Sequence, residues 1–167
     1  MSLNKLLLNE SFLSKYQERG LITLYHFSQN NEEEFQTDPN LFGKYSSWTR
    51  GDIKASDLPR TFFYLNLNDV EYRYRSKAYS GFEAEVLASS IYNLYDDPLY
   101  YREKNRKKNN GVLNIDELLR TIKNDFKGVA YRTGGMDIVN YFYPLDLTKI
   151  QTAEEEEKQA HEYQKIN

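Results

Sequence analysis

The run Leu21-Ile22-Thr23-Leu24-Tyr25-His26-Phe27-Ser28 constrains the fold of this chain more than any other stretch. Side chains alternate along a strand, so Ile22, Leu24 and His26 share one face and Thr23, Tyr25 and Phe27 share the other. Both faces are largely apolar. The segment therefore reads as a central strand covered on both sides, with one histidine inside an otherwise greasy run.

The neighbouring segments supply its partners. Upstream, Asn9 can cap a helix from about Glu10 to Arg19, with Phe12, Leu13 and Tyr16 on one face and Gly20 as its stop. Downstream, a long polar stretch from Gln29 to Arg60 holds Glu32-Glu33-Glu34, Asp38-Pro39, Gly43 and the single tryptophan, Trp48. A loop of that length in a compact domain is either functional or internally structured. Thr61 to Leu67 is strongly β-prone. Tyrosines alternate with arginines at Tyr72-Arg73-Tyr74-Arg75, a stripe able to hold phosphates or stack on flat rings, or to protect a strand edge.

Phe82, Ala84, Val86 and Ala88 alternate with Glu83 and Glu85, as a half-buried strand requires, although alanine and glutamate also favour helix. Ile91 to Tyr95 continues the apolar pattern. Asp96-Asp97-Pro98 breaks it and can start a helix. The basic run from Arg102 to Asn110 reads as a solvated loop. Asn114-Ile115-Asp116-Glu117 resembles a capping box, and Leu118, Leu119, Ile122 and Phe126 form a helical stripe that Gly128 ends. Val129–Arg132, Gly134-Gly135 and Asp137–Phe142 read as a hairpin whose second strand runs on through Pro144 to Leu147. Thr152 to Gln164, with four consecutive glutamates, reads as a solvated helix or frayed tail.

This order lacks a repeating βαβ pattern. It predicts an α+β fold with a mostly antiparallel, split or curved sheet and two or three flanking helices. At 167 residues the chain divides into one domain over 1–150 and an acidic tail over 151–167. A net charge of −3 argues against charge-driven nucleic-acid binding, so only a local basic face could bind it. With no cysteine, thiol nucleophiles, cysteine metal sites and disulfides are excluded, which fits a cytoplasmic protein. No run approaches a membrane span, and no signal peptide is evident. A nucleophile elbow, a Walker A loop and His-Glu-x-x-His are all absent.

One resemblance bears on function. Leu24-Tyr25-His26-Phe27-Ser28 resembles the first strand of the ADP-ribosyltransferase fold in its His-Tyr-Glu branch, with Phe27 inserted between the histidine and the serine. Phe62-Phe63-Tyr64 and Arg75-Ser76-Lys77-Ala78-Tyr79-Ser80 follow in similar order. Asp137 to Leu145 is similar to the late strand on which the family carries its glutamate. Ile91 to Pro98 and Phe142 to Leu145 also resemble such modules in phage and mobile-element proteins. The resemblance implies NAD as substrate and transfer of ADP-ribose to a protein or nucleic acid, or hydrolysis of NAD. It assigns His26 to the ribose, with Ser28 and Arg75 beside the cofactor, and Tyr64 or Tyr79 to the nicotinamide. The acid falls to Asp137, or to Asn140 if the register shifts. The family's glutamate is replaced in either case, so a non-catalytic interaction module with the same fold is the alternative.

Overall fold

The computed structural model describes residues 12–29, 31–42, 55–69 and 80–150. Nine strands form one sheet: β1 (Gln17–Glu18), β2 (Leu21–Ser28), β3 (Glu34–Gln36), β4 (Thr61–Tyr64), β5 (Ser80–Leu87), β6 (Ile91–Asn93), β7 (Gly128–Thr133), β8 (Met136–Tyr141) and β9 (Asp146–Lys149). Two helices are described in full, α1 (Tyr101–Lys108) and α2 (Ile115–Asp125). The class is α+β, and every strand pair is antiparallel except β6 with β7. That parallel pair needs a crossover, which α1 and α2 supply.

The strand order is β3-β9-β5-β2-β4-β8-β7-β6, which puts β2 in the interior. On one side β2 pairs with β5 along its whole length, from Leu21 with Leu87 to Ser28 with Ser80. On the other side its edge is shared: β1 takes Leu21 and Ile22, and β4 meets it at a single pair, Tyr25 with Tyr64. The sheet is thus split into two halves joined at that pair.

Ile22, Leu24, Phe63, Phe82, Val139 and Leu147 form the core on one face, with Leu13 packed onto it. On the other face α2 lays Leu118, Leu119 and Ile122 against Val129 and Phe142. Each such side chain contributes about 1.5–3 kcal/mol on burial.

Asn114 caps α2 as its sequence implies, its Oδ1 accepting from the Glu117 backbone N–H at 3.1 Å. The reciprocal half of the capping box is not made. The Asn114 N–H instead donates to Asn105 Oδ1 at 2.8 Å, while Asn105 Nδ2 donates to the Asn114 carbonyl at 3.0 Å. One buried amide thereby locks α1 to the start of α2. Glu117 turns to Lys108 and Asn109.

Several sequence expectations change. The helix expected up to Arg19 is replaced over the described residues by a single 3-10 turn, Ser14–Tyr16, followed by β1. Arg19 and Gly20 both take positive φ, which makes a tight turn into β2. The basic run at Arg102 is helical because Asp97, three residues before α1, caps its first turn: it accepts from the Tyr101 and Arg102 N–H groups at 3.0 Å each. Gly128 does not end α2, which stops at Asp125. It opens β7, where an added Cβ would lie 2.8 Å from Ile91 and 2.9 Å from the Asn140 carbonyl. β8 ends at Tyr141, and Asp146–Lys149 is a separate strand between β5 and β3. The long polar stretch holds β3 and a 3-10 turn at Pro39–Leu41. Trp48, the Tyr72–Arg75 stripe and the acidic tail lie outside the described residues.

Candidate functional site

His26 sits beside the split. Its ring lies between Phe35 and Phe63, with centroid distances of 5.9 and 5.4 Å. Nδ1 is 3.0 Å from the Phe62 carbonyl. A carbonyl can only accept, so Nδ1 carries the proton. Burial lowers the pKa of the ring, and the bond to Phe62 opposes that only in part, so the neutral tautomer is favoured. The imidazole hydrogen-bonds the next strand where the backbone ladder stops.

Tyr64 is on the same strand pair but on the other face. Directly paired residues share a face, so Tyr64 lies with Tyr25, and His26 lies opposite. The packing agrees: Tyr64 is buried with Ile138 against Tyr25, Phe27, Phe62, Tyr131 and Met136. Asn140 pairs with Phe62 and shares this face. Its Nδ2 donates to Tyr131 Oη at 2.9 Å, and its Oδ1 has no hydrogen-bond partner among the described residues.

Asp137 lies on the His26 face but away from it. It follows Val139 by two positions toward the hairpin turn, and two strand spacings separate β8 from β2. Sheet geometry makes that about 12 Å between Cα atoms. Its side chain is 4% exposed and engaged on both oxygens. Arg132 Nε donates to Oδ1 at 2.8 Å, Tyr16 Oη donates to Oδ2 at 2.5 Å, and Lys15 Nζ lies 3.2 Å from Oδ2. Burial alone would raise its pKa. The bonds from Arg132, Tyr16 and Lys15 outweigh that and hold the carboxyl below the ordinary aspartate range. Burial and the adjacent carboxylate push the Tyr16 phenol well above its ordinary range.

The sequence-assigned residues therefore divide. His26, Ser28 and Asp137 belong to one face, and Tyr64 and Asn140 to the other. Tyr79 and Arg75 lie outside the described residues. A cavity of about 490 Å³ opens near the N-terminal turn and takes in Lys15, Tyr16, Glu18, Arg19, Tyr25 and Glu85, but none of His26, Tyr64, Asp137 or Asn140.

Arg132, Lys15 and Tyr16 were not singled out from the sequence. Arg132 had a signal: a two-residue turn at Gly134-Gly135 forces Thr133 opposite Met136 and Arg132 opposite Asp137. Lys15 and Tyr16 reach Asp137 from a distant part of the chain and had none. No helix among the described residues is long and apolar enough to cross a membrane, and no cluster of three or more metal-ligating side chains occurs among them. No protein-family model, no curated protein and no solved structure matches the chain.

Proposed function

We propose that this chain is a non-catalytic interaction module built on an ADP-ribosyltransferase-like split sheet. The observation that carries this reading is the full engagement of Asp137. A carboxylate that stabilises a developing oxocarbenium centre must face the ribose. Here its oxygens are taken by Arg132, Tyr16 and Lys15. His26 is packed between two phenylalanines, and Tyr64 is on the reverse face.

The rival reading is an NAD-binding transferase or NAD hydrolase. What favours it is the position of His26, at the point where the half-sheets part. Titration calorimetry with NAD on the wild type and on His26→Ala separates the two. The module reading expects no saturable heat at millimolar NAD. Saturable binding that His26→Ala abolishes, accompanied by nicotinamide release, overturns it.

A further inference from the structure

The turn that joins β6 to α1 is built to hold its backbone and to show its side chains. Tyr92 Oη donates to Asp97 and accepts from the Leu99 N–H at 3.0 Å. Arg102 Nη1 donates to the Leu94 carbonyl at 2.5 Å, and the Tyr100 N–H donates to the Asp97 carbonyl at 3.0 Å. These bonds fix Tyr100 at φ 58 and ψ 36, a left-handed conformation that a bulky residue rarely adopts. Glycine or asparagine would sit there at less cost, yet the position carries a tyrosine that is 64% exposed. Tyr95, 49% exposed, and Leu99 are displayed by the same turn.

Charge around this turn is sorted by depth. The acids are used inward: Asp97 caps α1, Asp96 accepts from the Phe12 N–H and from Asn93, and Asp137 is buried. The cations stay at the surface. Arg132, 43% exposed, lies 5.5 Å over the Tyr95 ring, and Lys15 is 53% exposed beside it. Lys104 and Arg106 are exposed on the helix that follows. Rigid tyrosines beside arginine are the composition of binding hot spots, because they present area at low entropic cost.

We infer that the turn Leu94–Tyr100, with Arg132 and Lys15, is a preorganised docking surface for an acidic segment of a protein partner that carries apolar side chains. This rests on the module reading and names its partner class. The exposed aliphatic Leu99 beside the tyrosines favours a peptide over a nucleic acid.

The test is selection from a random linear peptide library on the wild-type chain, with oligothymidine and self-association measured in parallel. Enriched peptides should be rich in Asp and Glu with interspersed apolar residues. They should bind about tenfold or more weakly to Tyr100→Gly, Tyr100→Asn and Tyr95→Ala. Tyr100→Gly should melt no lower than wild type, which keeps folding out of the result. No enrichment, basic peptides, unchanged affinity in all three variants, tighter binding of oligothymidine, or self-association through this turn would each overturn the inference. NAD binding stays a separate readout. If it is absent while selection fails, the surface is wrong and the module reading stands. If it is present, the module reading is wrong whatever the turn does.

Discussion

His26 and Tyr64 stand on neighbouring strands, one register position apart, and face opposite sides of the sheet. The pair Tyr25–Tyr64 fixes this, because a strand's side chains reverse face at each residue. His26 instead joins the strands by its own ring, through the Phe62 carbonyl. A histidine used in this way is a structural bridge at the split.

That role predicts a pH dependence. The folded state holds His26 at a lowered pKa, so below the unfolded value of about 6.5 the unfolded chain binds the proton first. The contribution is fully present above that value and is lost as pH falls toward the folded pKa, by at most about 1.4 kcal/mol per pH unit. Urea unfolding of the wild type should show this decline between neutral and mildly acidic pH. His26→Gln should flatten it, and an unchanged slope would contradict the role.

Asp137 behaves with the opposite sign. Its folded pKa is lowered, so its contribution is present above about pH 3.9 and is lost as pH falls through the folded value. Asp137→Asn should remove that acid limb and cost about 1–3 kcal/mol at neutral pH. The cost stays moderate because Lys15 and Arg132 are about half exposed and can return to water. Chemical denaturation of both proteins at pH 7 and pH 3 measures both effects.

Asn105 predicts a local defect. Asn105→Asp keeps the acceptor for the Asn114 N–H but sets a carboxylate oxygen against the Asn114 carbonyl. A loss of about 1–3 kcal/mol is expected, with amide exchange quickening first at α1 and the start of α2. Protection unchanged there would show that the amide is not the lock.

Gly128→Ala is expected to destabilise by about 1–3 kcal/mol, since the new methyl meets the Asn140 carbonyl at 2.9 Å and Ile91 at 2.8 Å. The melting temperature of the variant decides it.

These residues also show what the sequence makes legible. The period-2 pattern of Leu21–Ser28 located the central strand, and alternation outweighed the helix propensity of alanine and glutamate in β5, whose outward positions are Glu83, Glu85 and Leu87. The Asn114 cap and the Gly134-Gly135 turn were readable because both are local chemistry. The N-terminal turn was not. Phe12, Leu13 and Tyr16 have helical spacing, but Tyr16 is held by Asp137, a partner that no window around it contains. The candidate site failed to assemble for a related reason. Order along the chain matched the family, but face is set by register, and register depends on where β4 meets β2.

The most direct test of the module reading follows the imidazole protons of His26 by NMR while NAD is added to millimolar concentration. The account predicts that the His26 signals keep their chemical shifts and that no nicotinamide appears. A saturable shift of the His26 signals, with nicotinamide released into solution, would contradict it and place NAD at the split between the half-sheets.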